Sequence, residues 1–81
     1  MPTLREAEDF ERCLVEILEA RGGRASRGTV LREFDRRHRS SIPRDLQEGD
    51  PPRWEQLLDA ARARLARRGV VFGDAEVWEL P

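Results

Sequence analysis

Between Asp50 and Leu80 the chain reads DPPRWEQLLDAARARLARRGVVFGDAEVWEL, and one periodicity within it limits the fold more than any other feature. Trp54, Leu57, Leu58, Ala61 and Leu65 recur at i, i+3, i+4, i+7 and i+11. At about 100° per residue they fall on one side of a helix. A helix with a single apolar stripe is stable only when that stripe is covered, so the rest of the chain has to supply a matching surface. Asp50 stands where an N-cap belongs, and Pro51 suits the first helical position, where its missing N–H is not needed. Gly69 closes the helix as its C-cap. Val70, Val71 and Phe72 then run extended into Gly73-Asp74, which reads as a two-residue hairpin turn between β-forming residues.

The covering surface is found upstream. Thr3 to Glu6 has the T-x-x-E form of a capping box and opens a first helix, in which Phe10, Leu14, Ile17 and Leu18 make a second apolar stripe. Gly22-Gly23 stops it. Cys13 lies beside that stripe and is expected to be a small buried hydrophobe rather than a redox thiol. Arg24 to Ser26 suits a short extra strand, after which Ser26 caps a second helix with Val30, Leu31 and Phe34 on its buried side. The connection from Ser40 to Gly49 exceeds the roughly three or four residues of a compact helix-turn-helix. Pro43 opens a short helical turn there, with Ile42 and Leu46 pointing inward and Gly49 ending it. The predicted core is therefore Phe10, Leu14, Ile17, Leu18, Val30, Leu31, Phe34, Ile42, Leu46, Trp54, Leu57, Leu58, Ala61, Leu65, Val70, Trp78 and Leu80.

An 81-residue chain of this pattern makes one domain, residues 1–81. A domain of that size buries only about 60% of the surface its unfolded chain exposes. Its net charge of −1 hides a segregation. Residues 1–20 carry six acids against Arg5 and Arg12, residues 21–44 carry eight arginines against Glu33 and Asp35, and residues 45–81 carry five arginines against eight acids. A basic band crosses an acidic chain. All 15 cationic side chains are arginine, so a phosphate-binding P-loop, which needs a lysine, is excluded. One histidine and one cysteine provide no zinc-ligand spacing, and no Ser-His-acid set sits on a recognisable elbow. The expectation is a protein that is not an enzyme and uses no metal or cofactor. With no apolar run near the roughly 18 residues of a membrane span, no leader pattern and a single cysteine, a cytoplasmic location is expected.

The order helix, short strand, helix, short helical insertion, long helix and wing hairpin is that of an α+β winged helix-turn-helix with a two- to three-stranded C-terminal wing. The run from Trp54 through Ala61, Arg62, Leu65 and Gly69 to Val77-Trp78-Glu79-Leu80 resembles the N-terminal winged-helix domain of the Mrr family of restriction proteins. That resemblance covers the last third of the chain, and the preceding helical segments, with their insertion, fit the same domain. It implies a DNA-binding or adaptor module of a restriction or defence-type effector, with no catalytic residue among the matched positions. The nuclease centre of such effectors ordinarily uses a lysine, which this chain lacks.

In a winged helix the last helix is ordinarily offered to the DNA major groove. Opposite the apolar stripe lie Gln56, Asp59, Ala60, Ala63, Ala66 and Arg67, with Arg53 and Arg64 on one shoulder and Arg62 on the other. Arg64 and Arg67 suit guanine and Gln56 suits adenine. Arg36, Arg37 and Arg39 suit phosphates, although basic residues at a helix C-terminus also complement the helix dipole. The candidate DNA-binding set is Arg36, Arg37, Arg39, Arg53, Gln56, Arg64 and Arg67, with double-stranded DNA as partner. The wing speaks against it: from Gly69 onward there is no cation, and Asp74, Glu76 and Glu79 are repelled by phosphate. A protein-interaction or homodimerising winged helix, packing through the small residues Ala60, Ala63 and Ala66, therefore competes with DNA binding, and so does a plain solvated helix face. Trp78 alternates with Leu80 and is expected to pack on the helices rather than stack on a base.

Overall fold

The structure, a computed structural model, describes Leu4 and residues 6–81. Thr3, and with it the expected capping box, lies outside the described residues. The first helix, α1 (Ala7–Ala20), has its N-cap at Glu6, whose backbone N–H donates to the Asp9 carboxylate at 3.2 Å. It stops at Gly22-Gly23, where the Gly23 N–H returns to the Leu18 carbonyl at 2.7 Å. β1 (Arg24–Ser26) follows, and the Ser26 hydroxyl accepts from the Thr29 N–H at 3.2 Å to cap α2 (Arg27–His38). The connection holds two 3-10 turns, Arg39–Ser41 and Arg44–Gln47, the second entered through Pro43.

The long helix α3 (Arg53–Arg67) starts later than its sequence suggests. Its N-cap position belongs to Pro52, not Asp50. A residue that precedes proline is pushed to extended backbone, so Pro52 prevents Pro51 from opening the helix, and Asp50 is left without a capping role. Pro52 itself is extended (φ −63, ψ 149), and its carbonyl takes the Glu55 N–H at 3.0 Å. At the other end Gly69 adopts φ +73, the Gly69 N–H bonds to Ala66 at 3.1 Å and the Val70 N–H bonds to Leu65 at 2.9 Å. This paired closure satisfies carbonyls that the helix end would otherwise leave free.

β2 (Phe72–Gly73) and β3 (Val77–Glu79) complete a three-stranded antiparallel sheet in the order β1-β3-β2. Arg24 pairs with Glu79, Ala25 with Trp78 and Ser26 with Val77, while Phe72 pairs with Glu79 and Gly73 with Trp78. The expected Gly73-Asp74 turn is displaced: Gly73 belongs to the ladder, and Asp74 turns the chain by accepting from the N–H groups of Glu76 (2.8 Å) and Val77 (2.9 Å). Gly73 sits at φ +110, where a Cβ would run into the Val77 carbonyl oxygen. The close approach that needs glycine is thus between strands and not in the loop.

Three helices and this small sheet form an α+β layout in the winged-helix order. Phe10, Cys13, Leu14, Ile17, Leu18, Val30, Phe34, Ile42, Trp54, Leu58, Ala61, Leu65 and Trp78 are buried together, as are Leu4 and Val71. Phe34 stacks on Phe10 and on Trp54, with ring centroids 5.6 and 5.1 Å away. Of the expected core, Leu31, Leu46, Leu57, Val70 and Leu80 are only partly buried and pack at its margin. Val71 takes the interior place foreseen for Val70, because the closing turn of α3 binds the Val70 N–H and turns the following residue inward. Among the described residues, no helix is long and apolar enough to cross a membrane.

Candidate nucleic-acid interface

The basic end of α2 is partly neutralised by its own helix. Arg36 and Arg37 both bond to the Glu33 carboxylate, at 2.8 and 3.1 Å, and Arg39 grips Asp35, its Nε donating to Oδ1 at 3.1 Å. These bonds hold the Glu33 carboxyl below its ordinary pKa and raise that of the Arg39 guanidinium. All three arginines are exposed, so the pairs are solvent-screened and exchangeable. Among the described residues, no ion pair joins them to α3.

On α3 the candidates divide. Arg53, Gln56 and Arg67 are exposed, with exposed Ala60 and half-buried Ala63 between them. Their spacing of 3, 4, 3 and 4 residues keeps all five on one line, about 21 Å long at the helical rise. Arg64 is not on it. Its side chain turns to α1, where Nε stops 3.8 Å from Glu11 Oε2 and makes no hydrogen bond. Arg68 donates to the other oxygen of Glu11 at 2.8 Å. Glu11, only 9% exposed, is in this way a polar link across the α1–α3 seam. The first-helix pattern gives no sign of it, because its partners lie 53 and 57 residues away and a pairing of that range has no local signature.

The sequence reading did not single out Arg27, which ties α2 to the flank of α3. As the first residue of α2 it reaches across to α3, with Nε and Nη2 donating to the two Asp59 oxygens at 3.0 and 2.8 Å. Glu55 Oε1 lies 3.8 Å from the same guanidinium. The Asp59 hydrogen bond, reinforced by the charges of Asp59, Glu55 and Glu76, raises the Arg27 pKa. Asp59 and Glu55 are the only acids of α3, so one arginine draws both to one flank and leaves the outward line free of anions. The spacing of four residues between them is the signal that a shared cation was available.

The remaining groups are structural in placement. Trp78 is fully buried and donates from Nε1 to the Ala75 carbonyl at 3.3 Å, with the Arg62 guanidinium 5.9 Å from its ring centroid. Arg62 is therefore occupied against the sheet. Cys13 is in the core, where burial, aided by the charge of Glu16, raises its thiol pKa. Asp74 is held below its ordinary pKa by the N–H groups of Val77 and Glu76, so the wing tip stays anionic. Among the described residues, no group of three or more His, Cys, Asp or Glu side chains is placed to hold a metal ion. Compared with protein-family models, with curated proteins and with solved structures, the chain matches none.

Proposed function

We propose that the chain is a non-enzymatic, cytoplasmic double-stranded DNA-binding module that presents the outward line of α3 to the major groove. The observation that carries this is the line's chemistry: Arg53, Gln56, Ala60, Ala63 and Arg67 with no acid among them, because Arg27 draws Glu55 and Asp59 aside. Arginine at both ends suits phosphate or guanine, Gln56 suits adenine, and the alanines let the helix backbone approach the groove floor. Arg36, Arg37 and Arg39 serve as secondary phosphate contacts that give up Glu33 and Asp35 when DNA binds, and Arg64 supports the helix from behind. The Mrr-like residues from Trp54 to Leu80 point the same way, toward the targeting module of a restriction or defence-type effector. The acidic wing favours a second reading, an adaptor or homodimer packed through Ala60, Ala63 and Ala66, for which Ala63→Glu would abolish self-association in sedimentation.

Fluorescence anisotropy of a labelled duplex at two salt concentrations tests the DNA reading. Arg53→Ala and Arg67→Ala should each reduce the log-log salt slope by roughly 0.9 if they hold phosphates. If they read bases, each should cost about 1–3 kcal/mol on a preferred sequence and much less on random DNA. Arg27→Ala should weaken binding although Arg27 is off the line, because it releases two carboxylates beside the groove. A parent chain that shows no binding at low salt, or an Arg27→Ala chain that is folded and binds as tightly as the parent, overturns it.

A further inference from the structure

We propose that the groove between α1 and the corner joining α3 to β2 is a docking site for a cationic amphipathic helix of a partner polypeptide. Its floor is apolar: Val15 on α1, the edge of Leu65, and Val70, which the closing turn of α3 leaves half-exposed. Its rim carries Glu8, Glu16 and Glu19, and with them Arg12 and the Glu11–Arg68 pair, so four acids face two arginines. Among the described residues no cation pairs with Glu8, Glu16 or Glu19, because Arg68 is taken by Glu11 and Arg12 by Asp9. From Glu8 to Glu19 the rim runs about 16 Å along α1, the length of three turns of a helix lying beside it.

An apolar floor with a net acidic rim matches a helix with aliphatic anchors at i, i+3 or i+4, and i+7, flanked by Arg or Lys. A second copy does not supply one. Its cationic line on α3 has only Ala60 and Ala63 between the arginines, and nothing large enough to fill the floor. DNA is repelled by the same carboxylates, so the groove and the outward line of α3 serve different partners, and either can fail without the other.

The test uses the full chain and a labelled helical peptide of about 18 residues with leucines on one stripe and arginines elsewhere, beside a scrambled peptide of equal composition. The parent should bind the amphipathic peptide at micromolar concentration and the scrambled one about tenfold more weakly. Glu16→Gln with Glu19→Gln should weaken binding and flatten its salt dependence while leaving DNA titrations unchanged or tighter. Val15→Glu adds attraction but spoils the floor, so it should bind more weakly than the parent. Equal binding of the scrambled peptide, tighter binding by Val15→Glu, or no binding by the parent overturns the proposal. So does self-association of the parent that Val15→Glu abolishes, which would give the groove to a second copy. Should Val15→Glu fail to fold, the scrambled peptide and the double glutamine variant still decide.

Discussion

His38 is half-buried at the end of α2, its ring 5.2 Å from that of Phe34. Burial lowers its pKa from the ordinary 6.5 against the opposing pull of Glu16, with Arg37 and Arg12 adding smaller pushes in the same direction as burial. A histidine whose folded pKa is depressed is protonated more readily in the unfolded chain. The stability it leaves intact above the ordinary value is therefore lost as pH falls from there toward the depressed one. The melting temperature should drop between about pH 7.5 and pH 5.5, and His38→Phe should drop less. Identical shifts in the two proteins would show that His38 does not carry the effect. This histidine reads in the sequence as one of a basic run, and only the structure sets it against the Phe34 ring. The same holds of Glu11 and Arg27, whose importance comes from partners on other helices. Phe10, Leu14, Ile17, Val30 and Phe34 were legible because their burial follows from local periodicity alone.

Element by element, what depends on a repeated pattern was readable and what depends on one backbone angle was not. The three helices, the short strand at Arg24–Ser26, the Ser26 cap and the Pro43 turn follow from the sequence and are present. The start of α3 and the wing turn depend on how Pro52 and Gly73 restrict their neighbours, and both were displaced by one or two residues. Gly73 gives a direct test. Gly73→Ala would place a Cβ against the Val77 carbonyl at a positive φ, and should cost about 1–3 kcal/mol with loss of the β2–β3 pairing. Gly22→Ala, also at positive φ but with open space around it, should cost about 1 kcal/mol or less. Thermal unfolding of the two variants would check the order. Equal stabilities would mean that the strands shift readily to make room at position 73. The candidate interface was half legible on the same grounds: Gln56 and Arg67 fall opposite the apolar stripe by helical spacing, whereas Arg53 and Arg64, read as one shoulder, part company because Arg64 turns toward a carboxylate that the spacing does not reveal.

At the scale of the whole molecule, stability rests on α3 packing against α1, with the sheet closing over one end. Leu65 lies at the centre of this arrangement, 3% exposed and bonded through its carbonyl to the closing turn. Leu65→Ala should lose about 2–5 kcal/mol, a large part of the 5–15 kcal/mol that holds an ordinary domain. Denaturant titration should show a much lower midpoint or an unfolded chain, and an unchanged midpoint would contradict the packing described. The central place of β3 in the sheet has a further consequence, for the order in which a newly made chain assembles. Residues 77–79 pair with both β1 and β2 and bring Trp78 into the core, yet they are made after all three helices. Until they emerge the helices are free to associate, but β1 has no strand to pair with and the space for Trp78 is unfilled. Any helical assembly formed before β3 emerges has an open apolar end, and β3 closes it by pairing on both edges and filling the space with Trp78.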